Sequence, residues 1–236
     1  MDFLKDIYPP LIEIVKILVG ALFIFLLGWE AYRRQKIHEE IREYYFENGI
    51  DVISKEIREG MVILRQNYET ALRVLGLLKE ATEIPLSKST FDDLFKRHAD
   101  YPPHLCIGGI YKLKVIIGPE KIKPFHKAIE FFYADLSTAN SFFTHQIRLV
   151  VDSYFKDPSF GPNVKENTIR LIGEVSTERK KLEVYYSLYA QVEQMALYMR
   201  NKRINNYKDL VKLRDDKQIN EYIEGIDALF KDRAGC

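Results

Sequence analysis

The sequence predicts an all-α protein in which a single N-terminal transmembrane helix continues into an elongated cytoplasmic bundle of helices. Three observations predict it. An apolar run of spanning length lies near the start, between Leu11 and Trp29. Hydrophobic residues then recur at helical spacing for most of the chain. Two later stretches, each approaching forty residues, are poor in glycine and long for globular helices.

The span comes first. Ile17 to Trp29 is thirteen residues without a charge, and extending back to Leu11 gives nineteen, interrupted by Glu13 and Lys16. At the helical rise, nineteen residues reach about 28 Å, close to the thickness of the hydrocarbon layer. Glu13 and Lys16 lie three apart, so they share a face and can pair near one edge of the bilayer, where a lysine stem also reaches the headgroups. Tyr8, Trp29 and Tyr32 bracket the run, where amphipathic rings favour the interface. A cleaved export signal would need a positive leader, but "MDFLKDIYPP" carries two aspartates and one lysine. A soluble core helix would keep a polar stripe, which "ILVGALFIFLLGW" lacks.

Arg33, Arg34 and Lys36 follow the span and only Lys5 precedes it, so the positive-inside rule places residues 1–10 outside and 30–236 in the cytoplasm. The expected location is the inner membrane, in a single pass. Ala21 and Gly28 are seven apart and Gly20 and Gly28 eight apart, small residues that let helices approach and favour self-association.

Beyond the span, Ile37, Ile41, Tyr44 and Tyr45, then Ile50, Ile53, Ile57, Met61, Leu64 and Tyr68, mark a helix pair with a break at Glu47–Gly49, where glycine suits a helix C-terminus. Residues 84–118 form an irregular middle. In it, "SKSTFDDLF" reads as a short helix capped by Ser89 or Thr90, with Asp92 and Asp93 in its first turn and Pro102 ending the segment. "HLCIGGIYKLKVIIG" reads as a short buried helix rather than an unpartnered strand. A long helix is expected from Pro119, as its first residue, to Lys156, and another from about Val164 to Ile204. The last runs from about Asp215 to Asp232.

Of the 236 residues, 47% are hydrophobic and 29% charged, enough to bury a core beyond the span. Two cysteines, Cys106 and Cys236, build no disulfide framework and suit a reducing compartment. The formal charge is +1, which argues against strong nucleic-acid binding through many phosphate contacts. Tyrosine and phenylalanine, 15 and 14, favour large helix contacts.

No motif ties the chain to a reaction. Two arginine–histidine pairs, Arg33 with His38 and Arg97 with His104, have the Arg-x(4–6)-His spacing of HEPN-type ribonucleases, which an all-helical domain resembles in outline. That resemblance implies metal-independent RNA cleavage, with RNA as partner, as the alternative function. His98, Asp100, His104 and Cys106 fall within nine residues but lack the paired spacing of a zinc site, so neither metal nor cofactor is expected. Phosphate-loop and nucleophile-elbow spacings are absent. Lys112, Lys114, Lys121, Lys123 and Lys127 stand against only Glu120 and form a basic patch suited to an anionic lipid or polyanion. Arg200, Lys202 and Arg203 form a smaller one near a helix C-terminus.

The leading expectation is therefore a membrane-anchored, non-enzymatic interaction protein, with the lipid bilayer, its own copies and a protein as partners. Its site would comprise Glu13, Lys16, Gly20, Ala21, Gly28 and Trp29. The sharper version is an oligomeric membrane effector, a pore or permeability switch of a prokaryotic stress or antiviral response.

Overall fold

From Phe3 the backbone is helical without interruption to Glu80. The structure, a computed structural model, describes residues 3–81, 87–96, 107–156, 162–202, 204 and 206–231. Helix α1 (Phe3–Ile41) passes into a wider π-helical segment (Arg42–Ile50) and then into α2 (Asp51–Glu80). Within the π segment the Asp51 N–H reaches back five residues to the Phe46 carbonyl, and the Asn48 side chain donates to the Glu43 carbonyl at 2.8 Å. The expected break at Glu47–Gly49 is absent. Gly49 does not end a helix; it lies under one.

That neighbour is α4 (Ile107–Ile117), the short buried helix read from the sequence. A Cβ on Gly109 would stand 2.8 Å from the Gly49 carbonyl oxygen and 3.1 Å from Ile53 Cγ1. Two helices therefore cross with almost no side chain between them, and Leu113, Ile116 and Ile117 complete the contact as core residues. Gly109→Ala should lower stability by about 2 kcal/mol, because the obstructing atom belongs to a backbone that cannot turn aside. Chemical denaturation monitored by far-UV dichroism measures it.

Helix α2 is the axis of the domain. Ile53, Ile57, Met61, Leu64, Tyr68, Ala71, Leu75 and Leu78 repeat every three or four residues and are all buried. Helix α5 (Lys123–Ser141) runs parallel to it: Tyr133 donates to Glu56 at 2.8 Å, and the Phe132 ring packs on Gly60. A second π segment (Phe142–Ile147) carries α5 into α6 (Arg148–Lys156), giving the expected long helix. It begins later than expected. Gly118 takes the left-handed conformation (φ +94°), Pro119 falls in the turn after it, and Pro124 occupies the first helical turn instead.

Helices α7 (Pro162–Lys180) and α8 (Leu182–Asn201) return antiparallel to α2, broken only at Lys181. The single helix expected to Ile204 is thus two. Lys181 keeps helical dihedrals but tightens the turn, its N–H bonding to the Glu178 carbonyl at 3.0 Å, while its ammonium bridges Asp135 (3.4 Å) and Glu178 (2.5 Å). Beside it the Tyr185 hydroxyl donates to Asp135 at 2.5 Å, under rings of Phe132 and Phe230.

The short helix α3 (Lys88–Phe95) starts earlier than expected, with Ser87, two residues before Ser89, in its N-cap position. Near the end, α9 (Tyr207–Lys212) was not foreseen. It leads through a tight turn to α10 (Lys217–Phe230), which packs on α5 and α8. Asp216 caps α10, accepting from the N–H groups of Gln218 (3.0 Å) and Ile219 (3.3 Å). No strand occurs among the described residues. The all-helical bundle is as expected.

Candidate functional site

The feature that sets this chain apart is a surface without neighbours. From Glu13 to Lys36 every side chain of α1 is exposed; Ile17, Ile24 and Phe25 are 71%, 72% and 64% accessible. Twelve large apolar side chains between Ile14 and Trp29 stand clear of the bundle on all sides of the helix. At about 1.5 kcal/mol or more each, leaving them in water costs on the order of 20 kcal/mol. Folding of the domain does not relieve that cost, because the unfolded chain exposes the same side chains; only burial of the helix against lipid or another surface does. The helix is long and apolar enough to cross a membrane.

The residues singled out there are placed as follows. Glu13 and Lys16 project from the helix, and no ion pair links them among the described residues. Gly20 and Gly28 have open space where a Cβ would be. Ala21 lies seven residues from Gly28, within about 20° on the helical wheel. Trp29 closes the run, stacked on Phe25 at 6.5 Å and leaning on Tyr32 at 6.3 Å.

The junction with the bundle starts at Ile37, which packs against the core, and Ile41, which is buried. His38 Nδ1 lies 3.0 Å from the Ile204 carbonyl in the segment after α8. A carbonyl only accepts, so Nδ1 is the donor in this contact. The same segment is held from its other side. Lys202 pairs with Asp216 at 2.9 Å and lies 4.4 Å from the centre of the Tyr198 ring, and the Tyr198 hydroxyl donates to Asp216 at 3.0 Å. Arg200, from the same small basic group, pairs with Asp51 at 2.6 Å, while Arg203 lies outside the described residues. That basic group thus serves the fold, pinning the end of α8 to α2 and α10.

Burial opposes the charge of Asp216, but hydrogen bonds from Lys202, Tyr198 and the Ile219 N–H together outweigh it and hold the carboxyl below its ordinary 3.8. Lys202 is held above its ordinary 10.5, by Tyr198 first and Asp216 next. The sign follows from linkage. The Asp216 contribution is complete above pH 3.8 and is lost as pH falls through the lowered folded value. The Lys202 contribution is complete below pH 10.5 and is lost as pH rises beyond it. Asp216→Ala should therefore cost about 2 kcal/mol at neutral pH, from the lost cap and network, with the difference shrinking in strong acid. Urea titrations of both proteins at neutral and acid pH check this.

The arginine–histidine pairs fare differently. Arg33 and His38 are five residues apart on one helix, which turns them about 140° from each other. One helix does not bring them to a common point. Arg97 and His104 lie outside the described residues, as do His98, Asp100 and Cys106. Among the described residues no group of three metal-ligating side chains converges.

The basic patch is split by the fold. Lys112 covers the Tyr44 ring at 4.6 Å, and Lys121 donates to the Arg214 carbonyl. Lys114, Lys123 and Lys127 converge on a cavity between α4 and α5, with Ile110, Tyr111, Ile122, His126 and Glu130 completing the wall. Sequence reading grouped the lysines but missed His126 and Glu130, whose signal was the helical spacing of 123, 126, 127 and 130.

No protein-family model, curated protein or solved structure matches the chain. Its function is therefore argued from these surfaces.

Proposed function

We propose that the chain is a membrane-anchored, non-enzymatic interaction protein that self-associates through its span. Helix α1 crosses the inner membrane once, with residues 1–10 outside and the helical domain in the cytoplasm. One observation carries this reading: an apolar helix free of protein contacts runs without a break into the helix at the centre of the core. A bilayer removes the cost of the exposed sleeve. Arg33, Arg34 and Lys36 then sit at its cytoplasmic edge, and Trp29 and Tyr32 at headgroup depth. Ala21 and Gly28 give a second copy of α1 a place to approach.

Because α1 and α2 form one rod, a rotation or tilt of packed spans is passed to the bundle, and a partner on the bundle is felt by the spans. In the sharper version the molecule is an oligomeric effector, in which Glu13 and Lys16 face a shared interior and admit water.

The full chain should stay with membranes through alkaline carbonate extraction. A variant lacking residues 1–36 should be released into the soluble fraction with its helical dichroism intact. Gly28→Leu should lower the crosslinked dimer fraction in uncharged detergent. A full chain that disperses and folds without surfactant would sink the proposal.

A further inference from the structure

A cavity of about 410 Å³ opens between α4 and the start of α5. Lys123 and Lys127 come to it four residues apart on α5, and Lys114 is brought over from α4 by the turn at Gly118. One carboxylate, Glu130, shares the wall and is engaged by His126 Nδ1 at 3.3 Å. Lys123 pairs with Glu120 at its rim. Lys114 and Lys127 have no carboxylate partner among the described residues. Ammonium groups gathered on one concave wall repel each other and focus positive potential into it. The floor is different in kind. Ile110 and Ile122 are 9% and 7% exposed, and the Tyr111 ring stands at the mouth, 65% exposed. Apolar floor, few convergent charges and this size are the marks of a small-molecule site.

We propose that this cavity binds a small water-soluble organic phosphate. Its charges would lie on Lys114, Lys123 and Lys127, and its apolar or planar body against Ile110, Ile122 and Tyr111. A lipid headgroup offers the same charge, but position argues against it. Gly109 of α4 sits on Gly49 and Ile53. Gly49 lies twenty residues past Trp29, about 30 Å along the helix, and Tyr44, under Lys112 at the other side of α4, fifteen residues past it, about 22 Å. The choice of a soluble ligand over a lipid rests on α1 being a span; the cavity and its charges do not. A polyanion is a poor fit for so small a cavity on a domain of near-neutral charge.

The test is calorimetric titration of the full chain, in uncharged detergent at low ionic strength, with ADP and separately with inorganic pyrophosphate. One site is expected, with affinity falling as salt is raised. Lys114→Glu with Lys127→Glu should weaken it by about tenfold or more, and the paired glutamine variant by less. Both lysines are at least partly exposed, so folding is retained and dichroism verifies it. Lys208→Glu with Lys212→Glu makes the same charge change on α9 and should leave affinity within about twofold. No binding of either probe overturns the site, as does an equal loss in the α9 control. Short-chain phosphatidylserine displacing ADP at lower concentration than ADP binds would overturn the soluble ligand while leaving a lipid site.

Discussion

Replacing Gly60 by valine should destabilise the helical domain by about 3 kcal/mol, lowering its midpoint of thermal unfolding by about 10 °C. A Cβ at Gly60 would stand 2.5 and 2.7 Å from two carbons of the Phe132 ring and 3.2 Å from Leu136. Phe132 cannot swing away, because it is 1% exposed and held edge-on by the Tyr185 ring at 4.9 Å. Relief must come from α5 moving off α2, which strains the Tyr133–Glu56 hydrogen bond and disturbs the Asp135–Lys181–Tyr185 group beyond it. The same helix supplies the control. Gly76 has nothing within 4 Å of a Cβ position. Gly76→Ala should therefore stabilise by about 1 kcal/mol through helix propensity alone. Opposite signs at two glycines of one helix show that packing, and not propensity, sets the cost at Gly60. A similar gain at both would mean that α5 does not press on α2 there.

The helices were legible because their evidence is local and repeated. The stripe from Ile50 to Tyr68 reads the same in sequence and in the core, and the apolar run before Trp29 declares itself by length. Where single residues decide, the reading failed. Glycine at position 49 has the same letter whether it ends a helix in the left-handed conformation or continues one beneath a crossing helix. Only the arrival of Gly109, sixty residues later, distinguishes the two. Pro119 and Pro124 are both acceptable at a helix start, and the left-handed Gly118 settles it by placing Pro119 in the turn. The break at Lys181 has no local signal; it is a single tightened turn in which the Lys181 N–H bonds to the Glu178 carbonyl. The basic patch shows the same limit. Two of its five lysines are drawn off to Tyr44 and to the Arg214 carbonyl, contacts that no spacing announces.

Deleting Asn48 should uncouple the span from the bundle without unfolding the core. The π segment closes each turn with one residue more than an α-helix, and its nine residues make about two such turns, so removing one leaves the flanking helices out of their present register. Everything before it is then turned by about 100° relative to α2. Helix α2 keeps its stripe from Ile53 to Leu78, which holds most of the domain together. What leaves its place is the junction: Ile41, 1% exposed, rotates out of the core, and His38 loses the Ile204 carbonyl. Burial of one isoleucine and one hydrogen bond amount to about 3 kcal/mol. Hydrogen-exchange protection of residues 38–46 should then fall roughly a hundredfold while that of 57–75 is unchanged. An alanine at Asn48 removes its bond to the Glu43 carbonyl but keeps the register, and should cost far less. If the deletion leaves residues 38–46 protected, the rod has slack at this point, and motion of the span would not reach the bundle as proposed. If protection is lost there and the crosslinked dimer fraction holds, the span associates on its own and the π segment serves to pass its orientation on.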